Sequence, residues 1–159
     1  MKTFFQIIAA LLFTTNLVAQ APSLQGAVST DEGIVKSYMQ EMMDGFNNKD
    51  AALFVKHLAD KLDFIPPNAY HATNKMEIRK MHEQLFQGPL KNSTWNNLDL
   101  QANLLSENVA NVIAKGSSTD IDPETGKEIS FRGIISGVFL KEGGDWKIVQ
   151  LQVTSVPAE

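Results

Sequence analysis

The chain of 159 residues contains no cysteine. That absence excludes a disulfide framework, a thiol nucleophile, a cysteine-ligated metal centre and a lipid carried on a cysteine. Basic residues are in the minority, with 14 Lys and Arg against 18 Asp and Glu for a net charge of −4. Nucleic acid is therefore not an expected partner, because phosphate backbones select clustered Lys and Arg. The histidines are few and scattered: His57, His71 and His82 show no i, i+4 pairing, so no helix face is built to hold a metal ion. No Gly-x-Gly-x-x-Gly opens a helix after a strand, so no dinucleotide site is expected. No metal and no cofactor is called for. Beyond the first residues no apolar run is long enough to cross a bilayer.

The first residues, "MKTFFQIIAALLFTTNLVAQ", combine one lysine, an apolar run from Phe4 to Phe13 and a small residue, Ala19, after Leu17 and Val18. This is the pattern of a secretory signal peptide over 1–19, with cleavage after Ala19. It takes one lysine and no acid with it, which leaves 13 basic against 18 acidic groups, near −5. The expected mature protein is exported, periplasmic or extracellular, without membrane insertion. About 140 residues remain, the size of one domain with an ordinary core. Residues 20–30 read as a linker and 31–156 as the domain.

Within the domain, hydrophobic periodicity changes halfway. Thr30 and Asp31 are capping types, and Ile34, Val35, Tyr38, Met39, Met42, Met43 and Phe46 recur at spacings of three and four, which predicts a helix from Thr30. "NNKD" ends it, and Asp50 can cap a shorter helix carrying Leu53, Phe54 and Leu58. A strand over Leu62 to Ile65, a "PPN" turn and a return through Tyr70 and Ala72 follow. Thr73 or Asn74 then caps a third helix with Met76, Ile78, Met81, Leu85 and Phe86, stopped at Gly88 and Pro89. From there the period is two. Leu98, Leu100, Ala102 and Leu104 alternate with polar residues, and strands over 109–117, 128–141 and 146–156 are joined by "DIDPETGK" and "EGGD". The fold class is α+β: three helices in the N-terminal half packed on a curled, mostly antiparallel sheet.

The order of these elements, with the strings "FNNKDAALFVKHLADKLDFI", "IRKMHEQLF" and "GDWKIVQLQVTS", resembles the SnoaL-like branch of the nuclear transport factor 2-like superfamily. The SgcJ/EcaC type is the nearest subgroup, through Asn-x-x-Asp, Asp-x-x-x-Phe, His-x-x-x-Phe and a terminal Trp-x-Ile strand. The resemblance covers about residues 31 to 156. It implies a conical roll with a pocket between sheet and helices, commonly in a homodimer. Ketosteroid isomerases share the fold, but alignment on the Asp50 junction places their catalytic aspartate on Pro66 and their helix-one tyrosine on Met42. Proline moves no proton and methionine polarises no carbonyl, so that chemistry is not expected. Tyr38, one turn earlier, is the one hydroxyl near that position.

The candidate ligand-binding residues are Phe64, Tyr70, His82, Phe86, Trp95 and Gln152. Asp63 either points into the pocket, where burial would make it a usable proton carrier, or faces solvent. His82 is either a polar group of the pocket or a packing histidine; His57 reads as packing and His71 as exposed. Trp146, Ile148, Gln150 and Gln152 fall on one face of an alternating strand, and Ile129, Phe131, Ile135 and Phe139 on the cavity side of another. Its other side mixes Arg132, Ile134, Ser136, Val138 and Leu140, a composition suited to a homodimer interface. Three functions stay open: an exported module binding a small hydrophobic or amphipathic molecule, a cofactor-free isomerase, cyclase or hydrolase with Asp63 and His82 as acid and base, and a structural association domain.

Overall fold

The structure is a computed structural model and describes residues 25–122 and 124–158. The expected signal peptide over 1–19 lies outside the described residues. Helix α1 (Gln25–Asn47) begins ahead of Thr30, so part of the segment read as a linker is helical and Asp31 sits inside the helix rather than capping it. Its carboxylate has another task. Lys141 Nζ and Trp146 Nε1 each donate to it at 3.0 Å, which ties α1 to the far end of the chain and holds its pKa below the usual carboxylate range, the indole hydrogen bond first and the ammonium second.

The apolar stripe of α1 is buried as its spacing requires, with Val35, Met39, Met42 and Met43 almost wholly inside. Helix α2 (Ala51–Phe54) is a single turn capped by Asp50, whose Oδ1 accepts from the Leu53 amide at 2.9 Å. It lies against α1 at Gly45, where an added Cβ would sit 2.4 Å from Phe54 N. Only a residue without a side chain allows that approach.

Leu58, expected on the second helix, instead opens strand β1 (Leu58–Ile65). The short strand β2 (Ala72–Asn74) leads into α3 (Lys75–Gln87). Of the two candidate caps, Asn74 does the work, accepting from Met76 N at 2.8 Å and Glu77 N at 3.4 Å. Strands β3 (Thr94–Ser106), β4 (Val109–Ile121), β5 (Glu128–Glu142) and β6 (Asp145–Pro157) complete the chain.

The six strands form one sheet in the order β2-β1-β6-β5-β4-β3. Every neighbouring pair is antiparallel except β1 with β6. The curled sheet carries the helices on its inner face, which confirms the expected α+β architecture. One irregularity decides what that face presents. Phe139 pairs with Ile148 but Val138 pairs with Gln150, so Val149 is an extra residue on β6, a β-bulge that flips the side-chain parity beyond it. Trp146 and Ile148 are buried before the bulge and Leu151 after it, while Gln152 is exposed. The single face expected for Trp146, Ile148, Gln150 and Gln152 therefore does not exist.

Candidate functional site

Between the helices and the inner face of the sheet lies a cavity of about 650 Å³. Alpha helix α1 supplies Met42, Met43 and Phe46 to its wall, α2 supplies Phe54, β1 Phe64, and α3 Met81, His82 and Leu85. The sheet closes the other side with Trp95, Phe131, Ile135, Leu151 and Val153. The exposed lining residues Asn68, Tyr70, Glu77, Lys80 and Gln84 form the rim. A volume of this size, apolar inside and polar at the edge, suits a small organic molecule.

His82 is the one buried titratable side chain of the wall, 4% exposed. Its ring stacks on Phe54 at 4.0 Å between centroids and meets Phe64 at 5.7 Å and the edge of Phe86 at 5.4 Å. Nδ1 lies 2.8 Å from the Ile78 carbonyl. A carbonyl oxygen only accepts, so Nδ1 carries the hydrogen, and in the neutral ring Nε2 then presents a lone pair. Burial pushes the pKa of His82 down, against the smaller opposing effect of the Ile78 carbonyl, so the neutral ring prevails at neutral pH. Nε2 has no hydrogen-bond partner among the described residues. The outcome is a fixed acceptor in an aromatic cage.

Ser93 is the polar residue that sequence reasoning missed. It lines the cavity and is 4% exposed. Its amide donates to Leu90 O at 3.2 Å and its carbonyl accepts from Lys49 Nζ, but its Oγ has no partner among the described residues. Nearby, Asn47 fixes the start of β3 by accepting from Trp95 N at 2.8 Å and donating to Trp95 O at 2.9 Å. The Trp95 indole lies over Gly133, where an added Cβ would come within 2.3 Å of Cη2.

Of the residues expected from sequence, Phe64, Tyr70, His82 and Trp95 border the cavity. Phe86, Gln152 and Asp63 do not. Phe86 follows His82 by four residues, and four residues of α-helix advance the side chain by about 40° beyond a full turn. That rotation turns Phe86 toward Phe46, at 5.5 Å, and Phe54, at 6.3 Å, so it backs the cage rather than facing the cavity. Gln152 is turned outward by the Val149 bulge. Asp63 neighbours the inward Phe64 on a strand and so faces the other side, where its side chain is 61% exposed and pairs with His71 Nε2 at 2.7 Å. Asp63 and His82 are not brought together.

Tyr38 also lies outside the cavity wall. Its ring stacks on His57 at 3.6 Å and its hydroxyl donates to Asp145 Oδ1 at 3.1 Å. His57 packs as expected, buried, with Nε2 2.9 Å from Glu41 Oε2. The cavity side assigned to β5 holds for Phe131 and Ile135, which line it, whereas Phe139 is fully buried in the core. Met42 and Met43 could have been found from the apolar stripe of α1, since the same stripe that builds the core also roofs the cavity.

Three solved structures show how widely this architecture is shared. The hexachlorocyclohexane dehydrochlorinase LinA-type3 of Novosphingobium barchaimii superposes with a TM-score of 0.72 at 11% identity, over 86% of this chain and 94% of its own. A ketosteroid isomerase-like protein from Erwinia carotovora gives 0.68 at 14% identity, covering 79% and 96%. An NTF2-like protein with a cystatin-like fold from Novosphingobium aromaticivorans gives 0.70 at 10% identity, covering 83% and 86%. At these identities the likeness is one of fold. No curated protein matches the chain. The SnoaL-like domain family matches residues 35–159, from the first fully buried turn of α1 through all six strands. The chain belongs to the SnoaL-like domain family, with the NTF2-like, cystatin-like fold.

Proposed function

We propose that the domain holds a small, largely apolar molecule in its cavity and that one polar group of that molecule donates a hydrogen bond to Nε2 of His82. The observation that carries this reading is a largely apolar, open-mouthed cavity of about 650 Å³ whose one buried imidazole has an acceptor nitrogen without a protein partner among the described residues. A ligand hydroxyl or amide that donates to this nitrogen would add the net worth of an ordinary hydrogen bond, about 0.5–1.5 kcal/mol.

The test uses methionine methyl groups as reporters. Met42, Met43 and Met81 line the cavity, Met39 is in the core and Met76 is 65% exposed. Titration of the protein with naphthol should shift the methyl resonances of the three lining residues saturably, at one molecule per chain, and leave Met76 unmoved. No saturable shift, or equal shifts at Met76, refutes the reading.

Catalysis on the bound molecule is a second reading, supported by the lone pair at Nε2 of the neutral imidazole, which is available to take a proton, with its basicity reduced by burial. The pairing of Asp63 with His82 lacks that support, because Asp63 is exposed on the opposite face of β1. We also propose the SgcJ/EcaC type, on the motifs quoted above, and export, on the charged start, apolar run and Ala19; an intact Met1 on protein recovered from the cell envelope or medium would sink the latter. A homodimer packed sheet on sheet is proposed from the outer face of β5, where Ile134 is 46% exposed and Val138 is half-buried. Light scattering should give a dimer that an Ile134→Asp, Val138→Asp variant converts to a folded monomer; a monomeric wild type at micromolar concentration refutes it.

A further inference from the structure

We propose that Asp120 receives a protonated amine at the mouth of the cavity, so that the ligand is an amphipathic arylalkylamine with its apolar body inside and its cationic head on that carboxylate. This rests on the reading of the cavity as a binding site. It adds the charge of the ligand, the direction in which it lies and the residue that selects it.

The register of β4 puts Asp120 on the cavity side of the sheet. Ala110, Val112 and Ala114 are fully buried and mark the inner face of the strand. Strands β4 and β5 pair without a break from Val109 to Ile121, so the two-residue period carries that face through Gly116 to Ser118 and Asp120. Both line the cavity and both are half-buried. Ser118 pairs with Trp95, whose side chain is part of the same wall, and Asp120 stands about 7 Å farther along the strand, next to its end at Ile121. The inner face of β4 thus runs from apolar in the core to a carboxylate at the mouth.

That carboxylate is placed to take a donor. Its Oδ1 accepts from the Ile121 amide at 2.8 Å, and its other oxygen has no hydrogen-bond partner among the described residues. It forms no ion pair among them either. An ionised carboxylate only accepts, and so does Nε2 of the neutral His82 ring, so a ligand that meets both brings donors. Lys49 is the cation whose field reaches Asp120: burial pushes the Lys49 pKa down, and the Asp120 charge opposes that in part. Its ammonium is turned to the Phe46 and Ser93 carbonyls and lies over the Phe46 ring at 4.7 Å, so it moderates Asp120 without pairing with it. The other charged lining residues, Lys80 and Glu77, are exposed, and Glu77 already accepts from the Tyr70 hydroxyl. Salt and water screen exposed charges more than a half-buried one. Asp120 therefore sets the sign of charge that the mouth selects.

The experiment compares calorimetric binding of naphthylethylamine, naphthylethanol and naphthylacetate, which share an apolar body and differ in the charge of the head. They are titrated into the wild type, Asp120→Asn and Glu77→Gln, with thermal unfolding of each variant to establish that it is folded. The wild type should bind the amine about five-fold more tightly than the alcohol, the upper range for a partly exposed ion pair, and the acetate most weakly. Raising sodium chloride should shrink the advantage of the amine, because added ions screen its attraction to the carboxylate. Asp120→Asn keeps an oxygen for the Ile121 amide, so it should fold as the wild type does, bind the alcohol unchanged and lose the preference for the amine. Glu77→Gln should keep that preference. The Asp120 anchor is refuted, and the cavity reading stands, if the alcohol matches the amine, if salt leaves the amine's advantage intact, if that advantage survives Asp120→Asn, or if Glu77→Gln abolishes it equally. If the acetate binds best, the mouth selects the opposite charge and the inference is likewise refuted. If no probe binds, the cavity reading falls and this inference with it.

Discussion

The contact between Trp95 and Gly133 makes the sharpest stability prediction. Replacing Gly133 by alanine would place a Cβ 2.3 Å from Trp95 Cη2, 2.9 Å from Cζ3 and 3.1 Å from the Thr154 carbonyl oxygen. Ordinary carbon–carbon contact is at about 3.5–4.0 Å, so the deficit against the indole exceeds an ångström. Gly133 cannot retreat, because β5 is paired at that position with Gly116 on one side and Ser155 on the other. The indole must therefore swing away from the sheet, and the space open to it is the cavity. Overpacking of this kind costs about 1–3 kcal/mol. For a domain of this size a kilocalorie moves the melting temperature by about 4 °C, so Tm should fall by about 4–12 °C. Scanning calorimetry reads the loss, and the same variant should bind naphthol more weakly as the ring fills the site. In a Trp95→Leu background the added methyl meets no indole, and its own cost should drop below about 1 kcal/mol, a coupling that a double-mutant cycle isolates. A Gly133→Ala protein with wild-type Tm and naphthol affinity, or one equally destabilised in both backgrounds, refutes the account.

Three further outcomes follow from other parts of the molecule. His82 and His57 both have pKa values pushed below the ordinary 6.5 by burial; the unfolded chain then binds more protons than the folded one, so stability should be full above 6.5 and fall as pH drops below it, and His82→Gln should flatten that slope in urea titrations at a series of pH values. Asp31→Ala removes the acceptor shared by Lys141 and Trp146 Nε1 and leaves the buried indole N–H unpaired, so chemical denaturation should show a loss of about 1–3 kcal/mol with the same m-value. Asp63→Asn should leave naphthol affinity and melting unchanged, since its partner is the exposed His71; a several-fold loss of affinity would place Asp63 in the site after all.

The helices were legible because their signals are local. Asp50 and Asn74 announce caps that the structure uses, and Gly88 ends α3 as the sequence pattern requires. Asp31 shows the limit of such signals: a capping residue type is also a good hydrogen-bond acceptor for a distant indole, and no local rule says which role it takes. The placement of Asp63 was open to a stricter reading. Adjacent residues on a strand face opposite ways, so once Phe64 is assigned to the cavity Asp63 belongs outside it. Phe86 was misplaced for a comparable reason, since i and i+4 positions share a helix face only approximately and a cavity wall is narrower than a core stripe.

Gln152 could not have been placed by any count along the sequence. "WKIVQLQV" alternates equally well in either parity, and an inserted residue is visible only against the partner strand, where Phe139 takes Ile148 and Val138 skips to Gln150. Without the extra Val149, Gln150 and Gln152 would continue the inward row begun by Trp146 and Ile148, bringing two amides to the cavity side of β6. With it, Leu151 and Val153 line the wall beside Phe64, which pairs directly with Leu151 across the parallel β1–β6 junction. The bulge therefore sets the polarity of the site. It keeps the β6 wall apolar as far as Ser155, and across from that wall His82 of α3 presents Nε2 as an acceptor. A ligand entering this space meets a fixed acceptor on α3 facing the apolar β5–β6 wall, with the half-buried Ser118, Thr119 and Asp120 of β4 beside it, and its orientation follows from that asymmetry.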